Sequence, residues 1–284
     1  MKNKFYYLVL VCLGVFSACN TRKDLNLELK DFSSQYAVEC YLEDQKTYRL
    51  GLYKTVAIDD KKPLEPVKDA EVTIFWGSDS VRLLNTFVLD TNKYKAYNYF
   101  SPEMVNLDTS LVYFLKIKLP DGTSMTAQSR FLAAPKIVAL QQQKGDKNSY
   151  SLQLKFKDIS ETDSNFYFVQ IFEKSQKTDL DYKPKNANIL SDRIKVDGYI
   201  TYVTTTKYNV GEKLEVRLYH ISKEHYNFIS SYTAALSSVG NPFSKPTYIE
   251  SNVSNALGIF ACMNYTQDSL TIGNAKDTQN LVHR

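Results

Sequence analysis

Histidine and glycine are scarce in this sequence, and each scarcity excludes a class of functional site. His220, His225 and His283 are its only histidines, and they are too few and too widely spaced for an HExxH or comparable metal motif. Its ten glycines form no Walker or dinucleotide-binding pattern, and no G-x-S-x-G elbow occurs. The sequence therefore predicts no metal and no cofactor, and it offers no catalytic residue.

Acidic pairs suited to glycoside hydrolysis are not recognisable either. Asp59-Asp60, and Glu161 with Asp163, lie in polar segments where neighbouring carboxylates are typical of solvated turns. Charge is not concentrated, because the formal net charge is +4 and the basic and acidic residues are interspersed, so nothing predicts binding to nucleic acid. We predict that the protein is not an enzyme, and an uncharacterised hydrolase is the least favoured alternative.

Long apolar runs are also missing, except at the N-terminus. There Lys2 and Lys4 precede an apolar run over residues 5–16, which the small residues Ser17 and Ala18 follow. About a dozen residues are too few to cross a bilayer as a helix, which needs roughly 20. The order of basic, apolar and small residues predicts that residues 1–18 are a secretory signal peptide.

Phe16-Ser17-Ala18-Cys19 resembles the lipobox of bacterial lipoproteins. The resemblance implies that Cys19 is lipidated. The polar stretch that follows predicts that residues 19–32 form a tether. Several acyl chains hold such a protein on a membrane, since each buried CH₂ contributes about 0.8 kcal/mol. Lys23-Asp24 resembles the surface-export tag of Bacteroidota lipoproteins. We expect an outer-membrane lipoprotein, and the sequence leaves open whether it faces the periplasm or the cell surface.

The four cysteines leave at most one disulfide in the folded part. Cys12 is lost with the signal and Cys19 is expected to carry lipid, so Cys40 and Cys262 remain. A compartment outside the cytoplasmic membrane permits disulfides. Two buried, unpaired thiols in strands are the alternative, and the sequence leaves both possibilities open.

Aromatic residues are abundant, and their pattern predicts strands. The chain has 21 Tyr and 15 Phe, which are typical of pleated sheet surfaces, although a platform for sugar rings is the alternative. Apolar and polar residues alternate over residues 47–53, and Pro120-Asp121-Gly122 predicts a β-hairpin between residues 111–119 and 123–131. We predict a mainly β fold whose first domain, residues 33–133, is an immunoglobulin- or fibronectin-like β-sandwich.

A second β-rich domain is predicted over residues 136–273, after the pause in the strand pattern at Ala134-Pro135. Within it, residues 150–157 and 165–173 look like a hairpin pair. One amphipathic helix is predicted near residues 222–238, because Tyr226, Ile229 and Leu236 recur at helical spacing after the possible N-cap Ser222. Residues 274–284 are predicted to be a polar tail.

Two groups of motifs resemble the Bacteroidota lipoprotein family known as domain of unknown function 4249. The first group comprises residues 38–42, residues 69–74 and the hairpin at residues 120–122. The second comprises Asn241, Pro242, Phe243, Pro246, Ser251, Asn252, Gly258 and Phe260. Gly258 is typical of a bulge or of a close approach between backbones in a strand.

That family has no established activity, but its members are typically encoded near TonB-dependent outer-membrane receptors. The resemblance therefore implies a non-catalytic accessory or binding subunit of a TonB-dependent nutrient uptake system, with the receptor as a partner and the membrane contacted through the lipid. A structural or adhesive cell-envelope protein is the alternative.

Overall fold

The computed structural model describes residues 34–56, 64–90, 95–145, 149–160, 164–174, 184–238 and 247–273, and every structural statement below concerns those residues. The predicted signal peptide, the lipidation site Cys19, the tether and the polar tail lie outside them. Four motif residues also lie outside them: Asn241, Pro242, Phe243 and Pro246.

The described residues form sixteen strands, one α-helix and one short 3₁₀-helix. The strands are β1 Tyr36–Glu43, β2 Thr47–Lys54, β3 Glu65–Pro66, β4 Glu71–Trp76, β5 Asp79–Asp90, β6 Lys95–Met104, β7 Val112–Lys118, β8 Ser124–Arg130, β9 Ile137–Lys144, β10 Ser149–Lys157, β11 Phe166–Glu173, β12 Pro184–Ser191, β13 Tyr199–Val203, β14 Tyr208–Asn209, β15 Lys213–Ile221 and β16 Leu257–Thr271. The helices are the 3₁₀-helix Asp192–Ile194 and α1 Lys223–Ser238. The predicted mainly β fold with one amphipathic helix is confirmed.

Strand β16 lies between β1 and β15 and so joins the N-terminal and C-terminal strands in one twelve-stranded sheet. The order of the strands is β12-β11-β15-β16-β1-β2-β6-β5-β4-β7-β8, and β3 pairs with β2. The first half of β16, residues 257–263, runs parallel to β1, and its second half, residues 264–271, pairs antiparallel with β15. One sheet therefore runs through both parts of the chain. The division into domains at residues 133–136 stays a prediction.

The first hydrophobic core lies between two parts of this sheet, one around β2 and the other formed by the neighbouring strands β4 and β7. Leu50 of β2, Ile74 of β4 and Leu115 of β7 are all buried in it. The sheet must therefore fold over on itself, and β5 carries a bulge between Asn85 and Val88 that increases its local twist. The result is a sandwich-like arrangement in the N-terminal part. The predicted hairpin at Pro120-Asp121-Gly122 is confirmed, because it connects β7 to β8.

The second core lies between the C-terminal strands of the large sheet and a separate sheet of β13, β10, β14 and β9. Phe156 of β10 packs edge-on against Tyr167 of β11, with ring centroids 4.8 Å apart. The predicted hairpin between these two strands is wrong, because β10 pairs with β9, β13 and β14 while β11 pairs with β12 and β15. The two strands face each other across a core as layers.

Helix α1 covers part of the sheet face that points away from both cores. Ser222 caps its start, since the Ser222 Oγ accepts a hydrogen bond from the His225 amide at 3.2 Å. Tyr226 and Ile229 pack on the sheet as the periodicity predicts. Leu236 in the last turn is exposed, so only the first half of the apolar stripe is buried against the sheet. No helix among the described residues is long and apolar enough to cross a bilayer.

Both cysteines of the described body are buried and free. Cys40 of β1 is in register with Phe260 of β16, so Cys262 lies two positions further along the neighbouring strand. That offset separates Cα atoms by roughly 8 Å, given strand spacing and rise, which exceeds the ~7 Å that a disulfide can span. The structure therefore favours the alternative of two unpaired thiols.

We expect neither thiol to react in the folded protein. Burial raises the pKa of Cys262 to about 12 and raises that of Cys40 as well, so the reactive thiolate is suppressed. The measurement is maleimide labelling, without reductant, of the mature chain carrying Cys19→Ser. We expect no label on the native protein and two labels per chain in denaturant. Absence of label in denaturant would reveal a disulfide and contradict the prediction.

Candidate functional site

An open cleft of about 580 Å³ lies beside helix α1, on the sheet face that points away from the cores. Strands β1 and β2 and the adjoining ends of β5 and β6 supply one part of its lining. Strands β11, β15 and β16 supply another, and α1 adds His225 and Ile229. The cleft thus takes residues from both parts of the chain, which β16 brings together.

Strand alternation explains why these side chains reach the cleft. On β15, Val216 and Leu218 are buried in the second core, so Arg217 and Tyr219 point to the opposite face. On β1, Leu42 is buried in the first core and Tyr41 points to the cleft. Each strand therefore anchors itself in a core with one face and presents polar and aromatic groups with the other.

Arg217 is held in place by a carboxylate and by two rings. Its Nε donates to Glu215 Oε1 at 2.8 Å, and Lys174 Nζ lies 3.0 Å from the other oxygen of the same carboxylate. The guanidinium carbon lies 4.7 Å from the ring centroid of Phe172 and 5.1 Å from that of Tyr265. Stacking and ion pairing together fix the direction of the guanidinium.

Two further cations of the cleft are held in the same way. Arg49 Nη1 donates to Asp90 Oδ2 at 2.6 Å, and the guanidinium carbon lies 5.4 Å from the ring centroid of Tyr97. Lys95 forms an ion pair with Glu39, and its Nζ lies 4.9 Å from the ring centroid of Tyr41. Each cation thus has one carboxylate and at least one aromatic ring as neighbours.

His225 forms a neutral part of the cleft wall. It is buried, with its ring centroid 5.7 Å from that of Tyr41 and 6.3 Å from that of Phe168. Burial, followed by the charge of Lys95, lowers the pKa of His225 to about 4. The imidazole is therefore uncharged at neutral pH and is a weak base.

The described motif residues lie at the entry to β16 and do not line the cleft. Asn252 acts as a clamp on the backbone of Phe260, because its Nδ2 donates to the Phe260 carbonyl at 2.7 Å and its Oδ1 accepts from the Phe260 amide at 2.9 Å. Ser251 Oγ donates to the Ala256 carbonyl at 2.9 Å. Phe260 itself is buried in the first core.

Position 258 requires glycine, because of both its backbone conformation and its closeness to β1. Its φ is +128°, and it is in register with Val38 of β1. A Cβ atom there would lie 1.8 Å from the Val38 carbonyl oxygen. The described part of the motif thus fixes the pairing of β1 with β16. That pairing holds the two sides of the cleft together.

Sequence reasoning missed the cations of the cleft. Arg49 was visible only as part of the alternating strand pattern over residues 47–53, and nothing in the sequence singled out Lys95 or Arg217. A charged residue opposite a buried position has the same sequence pattern whether it faces bulk water or a cleft. Among the described residues, no three His, Cys, Asp or Glu side chains are grouped as a metal ion would require.

Two comparisons with known proteins bear on this chain. The model of the family described as Domain of unknown function (DUF4249) matches residues 22–269. A search of curated proteins gives no match.

Proposed function

This chain belongs to the DUF4249 family, since the match covers most of its length, and from that premise we propose that it is a lipid-anchored, non-catalytic binding protein of a TonB-dependent uptake system. In this role the protein sits on the outer membrane and holds a solute for the receptor. The observation that carries the proposal is the cleft beside α1, in which three cations are each fixed by a carboxylate and at least one ring.

The size and lining of the cleft support a role in binding. Small-molecule sites in proteins typically have volumes of about 300–1,000 Å³, and this cleft, at about 580 Å³, falls within that range. Such sites combine aromatic walls with a few oriented polar groups, and here Tyr41 and Phe168 stand beside Arg49 and Arg217. Because the polar groups are already fixed, a ligand would lose little free energy in ordering them.

The chemistry of the same groups supports binding without turnover. A general base works best with a pKa near the operating pH, and the pKa of about 4 makes His225 a poor one at neutral pH. The carboxylate of Asp90 is bonded to Arg49, and that of Glu215 to Arg217, so both serve to position cations.

The N-terminal sequence supports the membrane part of the proposal. Cys19 follows a signal-like segment. The polar residues after it would serve as a tether between the lipid and the β-rich body, so that the body could approach a receptor. A lipid on Cys19 would retain the protein at the membrane without a spanning segment.

Co-purification tests this role. We expect the affinity-tagged lipoprotein, extracted with mild detergent from outer membranes of its own bacterium, to bring down a TonB-dependent receptor. A tagged Cys19→Ser variant should disappear from the membrane fraction and recover no receptor. An unrelated tagged lipoprotein is the control for non-specific capture.

Repeated failure to recover a receptor from membranes that retain the lipoprotein would contradict the transport role. If deletion then altered surface attachment while nutrient uptake stayed normal, the structural or adhesive alternative would replace it.

A further inference from the structure

We infer that the cleft beside α1 takes a small anionic ligand with a flat apolar body, such as an aromatic carboxylate. This inference rests on the proposed function, because it assumes that the cleft is the ligand site, and it adds the chemical class of the ligand.

The charged side chains of the cleft differ in how far they reach solvent. Among the described residues, four cationic side chains line the cleft, Lys46, Arg49, Lys95 and Arg217, against the acids Glu43 and Asp90. Both acids are largely buried, with Glu43 exposed to 7% and the Asp90 side chain to 8%. The side chains of Arg49, Arg217 and Lys95 are exposed to 19%, 20% and 36%. Glu39, the partner of Lys95, is exposed to 38% but does not line the cleft. A solute in the cleft therefore meets mainly positive groups.

The two arginines of the cleft are oriented by their carboxylate partners. The carboxylates of Asp90 and Glu215 hold the two guanidiniums from the more buried side, so the planes of both guanidiniums are set before any ligand arrives. A planar guanidinium matches the geometry of a carboxylate, and a preorganised donor loses less entropy on binding. Because the paired carboxylates offset much of the positive charge, attraction is local and does not extend far into solvent.

The walls of the cleft are largely aromatic and aliphatic. Tyr41, Phe168, Phe172 and Tyr219 contribute rings, and Ile229 and Met263 contribute aliphatic surface. Neutral His225 adds a further ring between Tyr41 and Phe168. A flat apolar body can stack on such walls while its anionic group meets a guanidinium. A neutral sugar could stack on the rings and accept hydrogen bonds from the cations, but it would gain no attraction between opposite charges.

Calorimetric titration with 2-naphthoate and with its uncharged analogue 2-naphthamide tests the inference. The protein used is residues 19–284 carrying Cys19→Ser, so that no lipid is attached and no detergent competes for the probe. We expect naphthoate to bind about tenfold more tightly than naphthamide, as hydrogen bonds to a charged group imply. We also expect this preference to shrink in high salt.

Two lysine variants localise the effect. Lys95 Nζ lies 4.9 Å from the Tyr41 ring in the cleft, and Lys155 Nζ lies 4.8 Å from the Tyr199 ring on the small sheet, away from the cleft. Because Lys95 is partly exposed, Lys95→Gln should weaken naphthoate binding by only about threefold and leave naphthamide binding unchanged. The matched control Lys155→Gln should change neither. Both changes remove one partly exposed ammonium, so both variants should fold.

Three results would overturn the inference: equal affinity for the two probes, no binding of either probe at millimolar concentration, or the same loss of affinity in both lysine variants. These outcomes are separate from the failure of the proposed function. Recovery of a receptor without a preference for naphthoate would refute the ligand class alone. A preference for naphthoate without any receptor would refute the transport role and leave the anion site standing.

Discussion

Replacing Gly258 with alanine is expected to prevent stable folding of the β-rich body. The added Cβ would lie 1.8 Å from the oxygen and 2.8 Å from the carbon of the Val38 carbonyl, and backbone atoms cannot move aside as a side chain can. Relief requires β1 and β16 to separate at the joint of the large sheet. We expect a loss of more than about 5 kcal/mol, comparable to the whole stability of many domains.

Gly122→Ala is the control for backbone strain alone. Gly122 also has a positive φ, +88°, but nothing lies within 4 Å of a Cβ built there. That variant should lose only about 1–2 kcal/mol, because it meets the left-handed penalty without a collision. Urea unfolding, followed by near-ultraviolet circular dichroism, compares the two. If Gly258→Ala were as stable as Gly122→Ala, the close approach of β1 and β16 would be wrong.

Acid is expected to destabilise the protein between pH 6.5 and pH 4 through His225. The pKa of this residue is about 4 in the folded protein and about 6.5 when unfolded. Above pH 6.5 the imidazole is neutral in both states, so it has no effect. Between the two values the unfolded chain binds a proton that the folded protein does not, and the free energy of unfolding falls as the pH falls. The total loss is about 3 kcal/mol, and it is complete near pH 4.

His225→Phe isolates this contribution, because phenylalanine keeps a ring beside Tyr41 and Phe168 but cannot bind a proton. Burial also lowers the pKa of His220, but His220 is present in both proteins and cancels in the comparison. Urea midpoints measured at several pH values should fall more steeply for the wild type than for the variant. Parallel curves would show that His225 does not titrate as its burial requires.

Local features of the fold could be predicted from the sequence. The hairpin at Pro120-Asp121-Gly122 and the helix after Ser222 depend on neighbouring residues, so short patterns were enough. The need for glycine at position 258 was also visible, although its partner Val38 was not. The pairing of strands was harder to predict from the sequence. Alternation of apolar and polar residues indicates which face a residue occupies, but it does not indicate which strand lies beside it. The false hairpin between β10 and β11 is an example.

The cleft could not be predicted from local pattern. The cleft exists because β16 pairs with β1 in parallel, although the paired residues are more than two hundred positions apart. No sequence pattern near either strand predicts that pairing. Arg49 and Arg217 reach the same cleft only through this contact. The structure also connects the motif with the cleft. Asn252 and Gly258 fix strand β16, which brings the two sides of the cleft together. They would therefore contribute to function by positioning the residues that line the cleft.

Native mass spectrometry of the lipoprotein, extracted from outer membranes of its own bacterium, tests most directly the claim that the cleft holds a solute. We expect the wild type to carry a small anionic molecule in addition to its lipid. A variant combining Lys95→Gln with Arg217→Lys, which weakens the cleft while keeping a cation beside Glu215, should lose this molecule, and Lys155→Gln should retain it. A wild type without any bound molecule, or the same molecule retained equally by all three proteins, would contradict the account.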